Sequence, residues 1–299
     1  MSLTVAVLQK GIDLAQRAGL SRWASPGVRS FLRNTLGWAV LTRQITARVD
    51  PKTILLAEFP RCGVTWLRFL IATGLHHQRT GEIRKLSHDE MEAYAANLLG
   101  REKLYRPYRF AHGYSVLKTH SFFDPRFERA IVIYRNPFDA IRSYYAMEMM
   151  ADPLRPANLL TNEETYLIRR VGEFITYYEG WLPAIRRHPD RYLAIRYEEL
   201  LTPPGALLRK VFAFLHIGAA DLPAHHLARI AGLYERSDAN FAGLSAAERN
   251  TAAAKKTDIF KRIERVMTPE NLERLRPSLY ARSNALLDEL DRVRCSSTA

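Results

Sequence analysis

From Pro51 to Leu290, short apolar runs alternate with longer stretches in which apolar positions recur every three or four residues. Thr53 to Phe59 (TILLAEF), Tyr114 to Thr119, Ala130 to Arg135 and Tyr192 to Tyr197 read as strands. Val64 to Leu75, Pro137 to Met150, Glu163 to Arg187, Gly205 to Leu215 and Pro269 to Leu290 read as helices. Strands that are apolar throughout, with helices between them, predict an α/β single domain whose central, mostly parallel sheet is flanked by helices. Ligands of such sheets bind beyond the carboxyl ends of the strands, so that is where chemistry is expected.

Residues 1–50 have a different texture. Val5, Leu8, Ile12 and Ala15 follow helical spacing, and seven Lys and Arg stand against Asp13 and Asp50. The pattern predicts a basic helical N-terminal extension packed on or next to a main domain spanning residues 51–299. Contact with an anionic membrane surface through Trp23, Phe31 and Trp38 is the second reading of the extension. No internal repeat occurs, and the Pro and Gly positions do not cut the remainder in two.

Composition narrows the class. The chain has 299 residues, 47% of them hydrophobic and 25% charged, which excludes a disordered or fibrous protein. A chain of this length buries enough surface to dispense with disulfides and structural metals. Its two cysteines, Cys62 and Cys295, cannot form a disulfide framework and point to a reducing, cytoplasmic setting. No apolar run is long enough to span a membrane, and the N-terminus lacks the order of a signal peptide. The net charge is +13, and 35 of the 44 basic residues are Arg. Planar guanidinium forks suit phosphate and sulfate, so a nucleic acid, an anionic membrane or a small polyanionic ligand is implied as partner. No nucleic-acid motif accompanies the charge, and none is expected to bind.

Four segments carry candidate chemistry. In the first, TILLAEF leads through Pro60-Arg61-Cys62-Gly63 into a helix beginning Val64-Thr65-Trp66. Strand, glycine turn and helix start aim backbone N–H groups and the helix dipole at one point, an arrangement that suits an anion. The same stretch satisfies the C-x5-R spacing of cysteine-dependent phosphatases, with Cys62 as nucleophile and Arg68 as anion holder. In the second, Lys118-Thr119-His120 places a cation and a candidate general base at a strand end. In the third, Arg135-Asn136-Pro137-Phe138-Asp139 supplies a helix start behind a strand-end arginine, with Ser143 two turns on. The fourth, Arg196-Tyr197-Glu198-Glu199-Leu200, ends another strand.

Taken in order over residues 52 to 215, these segments resemble the superfamily of sulfotransferases that use 3′-phosphoadenosine 5′-phosphosulfate (PAPS). Phe59 to Trp66 matches its [YF]-P-[KR]-[SACT]-G-x-[ST]-W loop and Lys118 to His120 its K-[TS]-H step. Arg135 to Asp139 with Ser143 matches its R-[ND]-P-x-D turn, and Arg196 to Leu200 its [RV]-Y-E-[DE]-L strand end. The resemblance implies a P-loop-NTPase-like sulfotransferase fold. It also implies sulfuryl transfer from PAPS, leaving PAP, to the hydroxyl or amine of a small molecule, lipid or glycan, without a metal. Arg61, Cys62, Gly63, Val64, Thr65 and Trp66 would then hold the phosphosulfate and adenine, with Tyr197 touching the same base. Arg135 and Ser143 would read the 3′-phosphate, Arg61 and Lys118 would be catalytic cations, and His120 the base.

The family's C-terminal R-K-G-x-x-G-D-W loop is absent, since no glycine follows Gly243. Counting back from Thr268-Pro269-Glu270 makes Lys255, Lys256 and Lys261 candidates for the 3′-phosphate instead. For the acceptor, His76 to His112, with Tyr94, Tyr105, Tyr108 and Phe110, and Met147 to Tyr166 are candidate pocket walls. A phosphatase built on Cys62, and a non-catalytic polyanion- or membrane-binding protein of the same fold, are the alternatives.

Overall fold

The computed structural model describes residues 50–97, 109–151, 162–201, 205–218, 222–234 and 246–296. The N-terminal extension and its membrane-contact reading lie outside these residues, as do Tyr105 and Tyr108. The unit described below is Pro51–Phe123 with the chain from Phe127 onward.

Five strands form one sheet among the described residues: β1 (Thr53–Glu58), β2 (Ala95–Asn97), β3 (Ser115–Thr119), β4 (Arg129–Tyr134) and β5 (Tyr192–Arg196). Their order is β2-β3-β1-β4-β5, and every pairing is parallel. Leu55 of β1 faces Leu117 on one side and Ala130 on the other, and Ile131 faces Leu193. Ile54 to Ala57 and Ile131 to Tyr134 have no exposed surface, which is why these strands read as unbroken apolar runs. The central position of β1 puts its carboxyl end, and the turn that follows, between the ends of β3 and β4.

Helix α1 (Val64–Thr80) runs past the predicted stop at Leu75. Gly74 does not end it, because its role is spatial: a Cβ there would lie 2.7 Å from the ring of Phe212. The helix ends at Gly81, left-handed at φ 75, whose N–H donates to His77. Helix α2 (His88–Tyr94) and β2 went unpredicted, although Ser87 and Glu90 form a capping box ahead of α2. Helix α3 (Pro137–Ala151) is capped by Asn136, whose Oδ1 accepts from the N–H groups of Phe138 (3.0 Å) and Asp139 (3.3 Å). Helix α4 (Glu163–Arg187) matches its predicted span, with Asn162 as cap and acidic and basic residues at the ends the helix dipole favours.

Helices α5 (Gly205–Phe214), α6 (Ala224–Gly232) and α7 (Ala246–Ile263) follow. The single helix expected over Pro269 to Leu290 is two, α8 (Pro269–Leu275) and α9 (Pro277–Ser296). Pro277 forces the residue before it out of the helical region, and Arg276 sits at φ −149. Helix α9 packs on α4 and against β5.

Candidate functional site

The turn after β1 is bent by two left-handed residues, Arg61 at φ 75 and Gly63 at φ 104. A non-glycine residue held there costs on the order of 1–3 kcal/mol, a strain typical of binding loops. Gly63 admits no side chain, because a Cβ would lie 2.1 Å from Cδ2 of Tyr197. The ring of Tyr197, delivered by the end of β5, therefore lies against the turn. Arg61 Nε donates to Ser143 Oγ at 3.1 Å, from the second turn of α3. Arg135, at the end of β4, donates from Nη1 to the carbonyl of Arg61 at 3.4 Å and lies over the Tyr197 ring, 4.5 Å from its centroid. Residues far apart in sequence thus converge on one glycine. Arg135 Nε and Trp66 Nε1 are buried with no hydrogen-bond partner, and orphaned donors beside two guanidinium groups fit an anionic ligand with a ring system.

The expected roles of Cys62 and Val64 need correction. Their N–H groups are taken up inside the protein: Cys62 donates to the carbonyl of Phe59 at 3.3 Å, and Val64 donates to the Glu58 carboxylate at Oε2, 2.9 Å away. The Cys62 side chain is fully buried, 3.3 Å from the Tyr178 hydroxyl, and burial next to the Glu58 carboxylate pushes its thiol far above the usual range. Arg68 points elsewhere, donating to the carbonyl of Ala95 and pairing with Glu92 at 2.7 Å. A phosphatase needs a thiolate with its arginine at hand, so that reading falls. Thr65 and Trp66 are half-buried in the first turn of α1.

On the β3 side of the turn, Lys118 and His120 are largely buried. His120 Nδ1 lies 3.0 Å from the carbonyl of Glu58. A carbonyl only accepts, so Nδ1 carries the hydrogen and Nε2 keeps the lone pair. Burial, then the Lys118 charge, pulls the imidazole down to about 3, which leaves it neutral at physiological pH. A neutral ring with a fixed tautomer offers the lone pair that a general base needs, while its low proton affinity makes it a weak base in this state.

Other expected residues are not brought in. Lys255, Lys256 and Lys261 stand on α7, not on a glycine loop: Lys255 and Lys261 are exposed and Lys256 lies over Phe260. Thr268 of the T-x-E signal caps α8, its Oγ1 accepting from Asn271 N at 3.1 Å. Of the expected acceptor walls, residues 98–108 and 152–161 lie outside the described residues and Met147 is exposed, while Tyr94 bonds His76, Tyr166 donates to Glu148, and Phe110 lies at the opposite, amino end of β3 beside Tyr114, all three in the core. The aromatic groups next to the turn are Phe59, Tyr144, Phe174 and Tyr177, with Phe122 against Tyr177.

Three supporting residues escaped the sequence reading. Tyr178 sits beneath the turn, donating to the carbonyl of Ile133 at 2.6 Å and accepting from the N–H of Phe59. Asp291 on α9 accepts from Tyr134 and from Arg196, both at 2.6 Å, and so pins the strand ends that carry Arg135 and Tyr197. Glu58 was visible as the one acid in an otherwise apolar strand. Among the described residues no group of three or more His, Cys, Asp or Glu could hold a metal, and no helix is long and apolar enough to cross a membrane.

Residues 51–231 match the family described as the sulfotransferase domain. A curated relative, flavonol 3-sulfotransferase of Flaveria bidentis, is 26% identical over 192 residues, 57% of this chain. The chain spans 58% of that relative's length. Similar solved structures include retinol dehydratase in complex with androsterone and PAP, at 15% identity and a TM-score of 0.45, covering 71% of this chain and 82% of that one. A mouse sulfotransferase complexed with PAP shows 17% identity and a TM-score of 0.44, covering 83% and 92%.

Proposed function

The chain belongs to the sulfotransferase family, and from that premise we propose that it is a PAPS-dependent sulfotransferase acting on the hydroxyl or amine of a small molecule, lipid or glycan. The observation that supports this most is the meeting of Arg61, Arg135, Ser143 and Tyr197 on Gly63, with buried donor atoms left over. PAPS, when bound, supplies an activated sulfuryl group on a phosphate leaving group. Arg135 and Ser143 hold the 3′-phosphate, Tyr197 and Trp66 the adenine, and Thr65 and Arg61 the 5′ side. His120 takes the proton of the acceptor at Nε2, while its Nδ1–H stays on the Glu58 carbonyl and keeps the ring oriented. Lys118 and Arg61 are fixed cations for charge that develops during transfer. Arg61 stands where many members of the family carry lysine and cannot give up a proton, so it serves by charge alone.

Isothermal calorimetry with PAP and with ATP tests the reading. PAP is expected to bind at least about tenfold more tightly, because only it carries the 3′-phosphate that Arg135 and Ser143 would meet. Equal affinity for the two would overturn the assignment.

A further inference from the structure

Glu58 is 2% exposed and ends β1 directly below the turn. One carboxylate oxygen accepts the N–H of Val64 at 2.9 Å, holding the first residue of α1. The other lies 3.9 Å from Lys118 Nζ and 3.9 Å from His120 Nδ1, while the Glu58 carbonyl takes the His120 ring hydrogen. A buried acid under a loop that binds anions opposes the charge of the ligand, so its presence needs a reason. We propose that Glu58 is a positioning residue for sulfuryl transfer, the internal counter-charge that keeps the buried Lys118 a cation while its main chain orients His120. This rests on the sulfotransferase reading of the site.

The surroundings agree from every side. Burial lowers the affinity of Lys118 for its proton, the Arg68 and Arg61 charges lower it further, and Glu58, helped by Glu92, opposes them. Glu58 itself is raised by burial and drawn back by Lys118, the Val64 N–H, Arg61 and the Cys62 N–H. His120 from beyond β3 and Cys62 and Tyr177 complete the titratable groups around it. Without the carboxylate, Lys118 keeps only the Glu92 charge against Arg68 and Arg61 in a site with little water, and the ammonium is the group that yields. A paired charge is the form in which a buried lysine persists.

The test follows the lysine directly. The chain has nine Lys, so the 15N-labelled ammonium signal of Lys118 is assignable by its loss in Lys118→Arg. In Glu58→Gln, whose amide oxygen can still accept from Val64, the Lys118 titration midpoint is expected to fall by about one pH unit or more. PAP is expected to bind as well or better, since a negative charge has left the floor of the loop. An unmoved midpoint overturns the proposal and leaves Glu58 a loop support. Should Glu58→Gln fail to fold, Glu58→Asp, which withdraws the carboxylate by one methylene, carries the same two outcomes at a smaller shift. Failure of the wild-type protein to bind PAP by calorimetry would remove the underlying reading instead, so the two failures are told apart.

Discussion

The two sides of the turn handle charge in opposite ways. Toward β4 and β5, Arg61 and Arg135 are met by a serine hydroxyl, a backbone carbonyl and the face of Tyr197. Those partners orient a guanidinium without supplying a carboxylate to it, although Arg61 also feels the Glu58 charge from the other side. Toward β3, Lys118 and His120 share the Glu58 carboxylate, and all three are nearly cut off from water. The first side is ready for charge that arrives with a ligand, and the second has its charge balanced from within. A surface cation is cheaply maintained by solvent, whereas a buried one must have its counter-ion built into the fold. Nucleotide affinity and turnover should therefore be separable by mutation, even though both depend on one turn.

The sharpest separation is expected at His120. His120→Ala should lower kcat by about 10²–10⁴, the usual cost of losing a general base, while PAP affinity measured by calorimetry stays within about twofold of wild type. The effect should be greatest for an acceptor alcohol of high pKa, which depends most on the base. A parallel loss of PAP affinity would mean that the two sides act as one.

These two sides were unequally legible in the sequence. Arg135, Ser143 and Tyr197 could be placed because each follows a strand end whose apolar run is unmistakable, and the parallel sheet then brings the ends together. The cap at Asn136 and the span of α4 were readable for the same local reason. Glu58 was visible but mute, since a single acid at the end of a strand says nothing about which cations the neighbouring strand will set beside it. Val64 and Cys62 were assigned to the ligand because a helix start exposes its N–H groups, but Glu58 and the Phe59 carbonyl had already taken these two. Three of the aromatic residues expected in the acceptor walls fared worse. Aromatic spacing does not distinguish a core from a cleft, and Tyr94, Phe110 and Tyr166 went to the core. Helix α2 and the three-residue β2 were too short to leave a period, and Pro277 outweighed a helical pattern that ran through it.

On the nucleotide side, Arg135→Ala should weaken PAP binding by about 1.5–3 kcal/mol, roughly tenfold to a hundredfold, the worth of a hydrogen bond to a charged group. Adenosine 5′-phosphate, which lacks the 3′-phosphate, should lose about threefold or less, because only the general field of the cation is removed. Calorimetry with both ligands gives the comparison. Equal losses would show that Arg135 supports the turn through the Arg61 carbonyl, and the contrast between an open cationic side and a closed balanced side would lose its main support.

The smallest effect is expected at Cys62, which lies beneath the turn between the two sides. Its sulfur is buried, 3.3 Å from the Tyr178 hydroxyl, and burial and the Glu58 charge keep the thiol protonated. A protonated, enclosed thiol is no nucleophile, so its contribution is packing and one weak polar contact. Serine preserves both in outline: its hydroxyl can donate to the Tyr178 oxygen, which already donates to Ile133 and accepts from Phe59. The exchange trades a soft, apolar atom for one that costs more to bury, offset by a better hydrogen bond, and the net change in stability should be about 1 kcal/mol or less. PAP affinity and kcat in Cys62→Ser should stay within about threefold of wild type, since no group on either side of the turn changes its charge. Loss of turnover in a folded Cys62→Ser protein that still binds PAP would give the sulfur a chemical role. The barrier between the two sides would then be part of the reaction rather than its floor.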